Sequence, residues 1–73
     1  PHQANQRIIR ALGKRMRLRS GQIWDNIRDY GNTSSCSIPL CLAQNWGTIP
    51  DGARVALVAF GGGFTYGAAV LRK

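Results

Sequence analysis

The chain has 73 residues, with ten Lys or Arg against three Asp or Glu and a formal net charge of +7. That length limits it to one small domain, which buries only about 60% of the surface its unfolded form exposes, and its 44% apolar content excludes a disordered polar chain. The charge favours a polyanionic partner such as nucleic acid, an anionic membrane, a phosphorylated cofactor or an acidic protein, with a simple solvated surface as the plain alternative.

Taken in order, the chain opens on Pro1-His2 without a Met, which reads as a cut end. Residues Ala4 to Leu18 predict an amphipathic helix: Ile8, Leu12 and Met16 recur every four residues with Ile9 beside them. Arg7, Arg10, Lys14 and Arg17 share another face and form a basic ridge. Gly13 inside this helix costs about 1 kcal/mol relative to Ala. Arg19-Ser20-Gly21 ends the helix, and Gln22 to Ile27 predicts a strand anchored by Ile23 and Ile27. Thr33, Ser34 and Ser35 supply capping hydroxyls for a second helix running to about Asn45, with Pro39 near its start, where a missing N–H is tolerated. Ile49-Pro50-Asp51-Gly52 is a turn. Arg54 to Phe60 is a continuous apolar run of buried-strand character. Three glycines separate it from a last strand, Phe64 to Arg72. The predicted order is helix, strand, helix, strand, strand, without repeats, low-complexity linkers or a long apolar run that would cross a membrane. The lack of a charged-then-apolar leader makes a cytoplasmic setting the default.

Three short stretches carry chemistry. His2 immediately precedes the first helix and is followed by Gln3-Ala4-Asn5. Asn32 stands between Gly31 and Thr33 at a strand-to-helix turn, a place that favours asparagine for local hydrogen bonding alone. Gly61-Gly62-Gly63 links two strands, where a permissive turn needs no further reason. Cys36 and Cys41 fall five residues apart; on a helix, at roughly 100° per residue, they point in different directions, which predicts two buried free thiols. No other Cys or His stands at metal-ligand spacing, so no metal site is expected.

The joint pattern Pro1-His2-Gln3-Ala4-Asn5-Gln6-Arg7, Tyr30-Gly31-Asn32-Thr33-Ser34 and Phe60-Gly61-Gly62-Gly63-Phe64-Thr65-Tyr66-Gly67 resembles the C-terminal part of β-ketoacyl-acyl-carrier-protein synthase III, a condensing enzyme of the thiolase superfamily. The resemblance implies an α/β fold, part of the C-terminal half of a five-layered αβαβα domain and incomplete on its own. It implies that residues 1–73 are one segment of a longer acyltransferase, that the enzyme condenses acyl-CoA with malonyl-acyl carrier protein, and that no cofactor is held permanently. His2 and Asn32 match the two catalytic hydrogen-bond donors that face the malonyl thioester carbonyl. The backbone N–H of Gly62 matches the oxyanion-hole donor for the acylated cysteine. Ala4 and Asn5 match the tunnel for coenzyme A or phosphopantetheine, and Arg7, Lys14 and Arg15 match positions that dock the acidic carrier protein. The nucleophilic cysteine of the family lies outside this chain, and neither Cys36 nor Cys41 matches it. The implied partners are the carrier protein, the remainder of the synthase and a second copy in a homodimer.

Two departures from the family stand out. Asp25, beside Trp24, occupies a position that is usually apolar in a buried strand, where an unpaired carboxylate is costly. The segment Leu42 to Thr48 is about two residues shorter than the family's helix. The resemblance also separates the Gln22–Ile27 strand from Arg54–Phe60 by two strands that precede this chain, so its sheet lacks a centre and exposes edges. A related synthase that starts polyketides or quinolones shares the same motifs. A different class of reading is a non-catalytic basic module that binds an acidic partner. Aromatic residues are not interleaved with the Arg and Lys of the first helix, which argues against a base-stacking nucleic-acid surface.

Overall fold

The computed structural model describes all residues, 1–73. Three helices, α1 (Gln6–Arg15), α2 (Ile27–Tyr30) and α3 (Ser37–Asn45), precede an antiparallel pair, β1 (Arg54–Gly61) and β2 (Thr65–Arg72). Single 3-10 turns occupy Ser34–Cys36, Trp46–Thr48 and Gly62–Phe64. The mixture of helices with a two-stranded sheet gives the expected α/β fragment.

α1 is shorter than its sequence pattern at both ends because each end is closed by specific hydrogen bonds. At its start Asn5 is the N-cap, its Oδ1 accepting from the Ile8 N–H at 3.0 Å. At its end the Arg17 N–H donates to Lys14 O at 3.1 Å and the Leu18 N–H to Gly13 O at 2.9 Å. With Arg17 at φ 55°, this is a Schellman closure with arginine where glycine is usually found. Arg17 therefore lies outside the helix, and the basic ridge on α1 consists of Arg7, Arg10 and Lys14, all exposed. The apolar stripe is also displaced. Ile9 is buried, whereas Ile8 and Met16 are exposed. The reason is Gly13: a Cβ there would sit 3.4 Å from Ile23 Cδ1, so Ile23 packs directly on the helix backbone along the Ile9–Gly13 line.

The predicted strand over Gln22–Ile27 does not form. A strand needs a neighbouring ladder, and the N–H groups of Asn26 and Ile27 are taken by the side chain of Gln3 at 3.0 and 3.1 Å. The chain turns instead into α2, a four-residue helix absent from the sequence reading. Asp25 is exposed, so its carboxylate escapes the burial cost that a buried strand would impose. The second helix begins as the Ser34–Cys36 turn and becomes regular at Ser37, with Pro39 inside its first turn.

β1 and β2 pair in full register from Arg54↔Arg72 to Gly61↔Thr65. The hairpin base is fastened to the end of α3: Lys73 Nζ donates to Trp46 O at 2.7 Å and Ile49 O at 2.8 Å and sits 5.3 Å from the Trp46 ring centroid. The sheet is nevertheless uncovered. No residue of β1 is fully buried and every residue of β2 is exposed, so the apolar run that reads as a buried strand has only the helices on one side. Seven of the 73 residues are buried, only three of them large or small hydrophobics: Ile9, Cys41 and Ile49. An apolar groove of about 630 Å³ opens between the helices and β1, lined among others by Leu12, Ile23, Trp24, Cys41, Leu57 and Val58. Residues packed this thinly do not close a core by themselves.

The αL arginine yields a direct expectation. Arg17→Gly removes the side-chain clash of the left-handed conformation and stabilises the protein by about 1 kcal/mol, partly offset by the entropy of an unfolded glycine. Denaturant midpoints of wild type and variant check it.

Candidate functional site

His2 is held by its backbone. Its N–H donates to Val58 O on β1 at 2.7 Å, tying the segment before α1 to the sheet. The imidazole stands edge-on to the Phe60 ring, with centroids 5.6 Å apart and planes at 84°. Neither ring nitrogen has a hydrogen-bond partner within the chain, so both are free for other use. The ring lines a cleft of about 350 Å³ together with Ser34, Ser35, Gly61, Thr65 and Tyr66. The start of the chain, the turn after Asn32 and the rim of the glycine hairpin are thus brought to one place.

Asn32 is reached from α2 through Gly31, whose φ of 67° and ψ of −158° lie in a region essentially restricted to glycine. The Asn32 side chain is exposed, and its Oδ1 accepts from the Ser34 N–H at 2.8 Å. This local turn orients the amide: the oxygen is occupied and Nδ2 remains a donor without a partner in the chain. Asn32 itself does not line the cleft; its neighbours Ser34 and Ser35 do. Ser34 has φ 55°, an uncommon conformation for serine, immediately beside the cleft.

In the glycine turn the required left-handed residue is Gly63, at φ 70°, followed by Phe64 at φ 58°. A Cβ at Gly62 would meet nothing within 4 Å, so crowding inside this chain does not explain a glycine there. Ala4 is half-buried, and Asn5 spends its side-chain oxygen on the α1 cap. Arg7, Lys14 and Arg15 are exposed on α1. No group of three or more His, Cys, Asp or Glu stands together to hold a metal ion, and no helix is long and apolar enough to cross a membrane.

Sequence reasoning assigned nothing to Gln3, yet its side chain is fully buried. Its Oε1 accepts from Asn26 and Ile27, and its Nε2 donates to Pro1 O at 2.9 Å and, at the limit of hydrogen bonding, to Trp24 O at 3.5 Å. Asn26, also buried, passes the connection on by donating from Nδ2 to Gln44 Oε1 on α3 at 3.1 Å, while its Oδ1 has no partner. The only signal in the sequence was an amide side chain next to His2.

Residues 1–73, the whole chain, match the model of the family described as 3-oxoacyl-[acyl-carrier-protein (ACP)] synthase III C terminal. The chain belongs to this family. It is 55% identical over a 74-residue alignment, covering 99% of the chain, to the β-ketoacyl-[acyl-carrier-protein] synthase III of Nitratidesulfovibrio vulgaris strain DP4. Identity to the proteins of the same name is 51% over 71 residues in Acholeplasma laidlawii (97% of the chain) and 49% over 74 residues in Clostridioides difficile strain 630 (99% of the chain). The chain spans 22% of the first of these relatives and 23% of the other two. No solved structure matches it. Membership of the synthase III family accords with the α/β fragment as part of a thiolase-like domain.

The two thiols of this synthase III segment are free, but only Cys41 is buried; Cys36 is exposed, because the Ser34–Cys36 turn precedes the packed part of α3. Burial pushes the Cys41 thiol up, and the Asp25 carboxylate adds to this. The thiolate is the reactive form. With its ionisation displaced upward and its side chain buried, Cys41 is expected to resist alkylation at neutral pH. Peptide-resolved mass spectrometry after brief iodoacetamide treatment should find label on Cys36 and none on Cys41, and label on both once the protein is denatured.

Proposed function

We propose that residues 1–73 are the C-terminal segment of a β-ketoacyl-acyl-carrier-protein synthase III, which joins an acyl-CoA starter to malonyl-acyl carrier protein to begin fatty acid synthesis. The observation that carries this reading is the anchoring of His2 to Val58, which sets its imidazole in one cleft with the Ser34–Ser35 turn and Gly61. Family membership over the full chain supplies the reaction class.

In this reading a cysteine thiolate from the remainder of the synthase attacks the acyl-CoA carbonyl, and coenzyme A leaves as its thiolate. The malonyl thioester then loses carbon dioxide, and the electron pair of the broken C–C bond passes into an enolate. His2 and Asn32 donate hydrogen bonds to the enolate oxygen, where charge develops. The occupied Oδ1 of Asn32 supports its share in this, because the amide then has only its N–H groups to offer. The enolate carbon attacks the acyl-enzyme, the Gly62 N–H stabilises the oxyanion, and collapse expels the cysteine thiolate. Open space around Gly62 supports close approach by a group outside this chain. Ala4 and Asn5 line the passage for the phosphopantetheine arm, no resident cofactor takes part, and the enzyme works in the cytoplasm as a homodimer.

His2→Ala and Asn32→Ala in the complete enzyme should each lower malonyl decarboxylation by about 10²–10³-fold, the range for losing one preorganised oxyanion donor. Acylation of the cysteine should persist. Undiminished decarboxylation in either variant removes that residue's assigned role.

The exposed cations Arg7, Lys14 and Arg15 serve the carrier protein, since a rim of positive charge accelerates encounter with an acidic partner. Charge reversal at Lys14 and Arg15 should raise KM for malonyl-acyl carrier protein and reduce its salt dependence. With malonyl-CoA as substrate KM should not change, and steady-state kinetics on the two substrates makes the comparison.

A further inference from the structure

Gln3 is a fully buried polar side chain for which the chemistry just described has no use. A buried primary amide is expensive unless it is satisfied. Here both oxygen lone pairs are filled by the N–H groups of Asn26 and Ile27, at 3.0 and 3.1 Å, and the nitrogen donates to Pro1 O and towards Trp24 O. The two amides it receives open α2, which has no capping side chain of its own. The cap thus comes from a residue 23 positions away in sequence. α2 is only four residues long and ends at Gly31, directly before Asn32. On its other side Gln3 adjoins His2, whose N–H is fixed to β1. The Gln3 amide is therefore the link between the arm bearing His2 and the helix turn bearing Asn32.

We propose that Gln3 is a positioning residue: its buried amide locks the His2 arm to the start of α2 and so fixes the mutual geometry of the His2 and Asn32 donors. This rests on the synthase III reading above. Gln3 touches neither substrate nor reacting atoms. It acts by removing the freedom of two short segments to shift against each other. Misplacement of a catalytic group by about 1 Å is enough to lower a rate by about 10²-fold, and nothing else in the chain hydrogen-bonds residues 1–3 to residues 24–27.

The test uses the complete synthase and separates its two half-reactions. Gln3→Met keeps the length and shape of the side chain but presents no oxygen to α2 and no donor to Pro1 O. Gln3→Glu keeps an acceptor for Asn26 and Ile27 and loses the donor. For Gln3→Met the expected result is a fall of about 10²-fold in kcat for decarboxylation of malonyl-CoA, with KM unchanged and with acylation of the cysteine by acetyl-CoA at the wild-type rate. Gln3→Glu should fall between Gln3→Met and wild type, and it carries the test if Gln3→Met does not fold. A merely structural role would depress acylation and decarboxylation in parallel, and that outcome overturns the proposal, as does wild-type decarboxylation in both variants. His2→Ala measured alongside keeps the two claims apart. If His2→Ala is inactive while the Gln3 variants are fully active, only the positioning role fails. If His2→Ala decarboxylates normally, the role assigned to His2 fails and the positioning role with it.

Discussion

A side-chain amide performs, at the centre of this fold, a task usually given to backbone. The segment Trp24–Ile27 has no neighbouring strand to receive its N–H groups, and buried N–H groups without acceptors are costly. Gln3 supplies the acceptor and Asn26 extends the connection to Gln44 on α3. The turn into α2, the exposure of Asp25 and the approach of Ile23 to the backbone of α1 at Gly13 all accompany that arrangement. Through it the segment that carries His2 is hydrogen-bonded to the start of α2, the helix that leads through Gly31 to Asn32.

The second governing constraint is a sheet with too little to cover it. β1 and β2 form a well-registered hairpin, but two strands alone are marginal in water and need packing against other layers. The helices cover part of one face and leave the groove bordered by Ile23, Trp24, Leu57 and Val58. β2 is exposed along its whole length, and Phe64 at the hairpin tip is fully exposed. These surfaces make sense as internal surfaces of a larger α/β domain, in keeping with a chain that covers 22% of its N. vulgaris relative.

Much of this was legible in the sequence, for identifiable reasons. The helical period of Ile8 to Met16, the Pro50–Gly52 turn and the glycine break before Phe64 are local signals, and local physics placed α1, β1 and β2 within a few residues of expectation. The strand over Gln22–Ile27 failed because its apolar spacing reports a preference for extended backbone, while pairing depends on a ladder partner that no local pattern supplies. The stripe on α1 shifted to Ile9 because Gly13 admits Ile23, a contact between residues distant in sequence. By period alone Arg17 falls on the basic ridge, because periodicity does not reveal a residue in the left-handed conformation of a helix stop. His2, Asn32 and the glycine turn were legible as motifs. The role of Asn32 Oδ1 in its own turn and the satisfied amide of Gln3 were not, because both are matters of hydrogen-bond partnership rather than composition.

The measurement that bears most directly on the central claim is a crystal structure of the complete synthase with a non-decarboxylating malonyl thioester analogue bound. The account predicts that a ring nitrogen of His2 and Nδ2 of Asn32 both lie within about 3.2 Å of the thioester oxygen, with His2 still fixed to Val58 and Asn32 Oδ1 still engaged by Ser34. An Asn32 amide turned away from the ligand, or a His2 ring separated from the thioester by the Phe60 side chain, would contradict it.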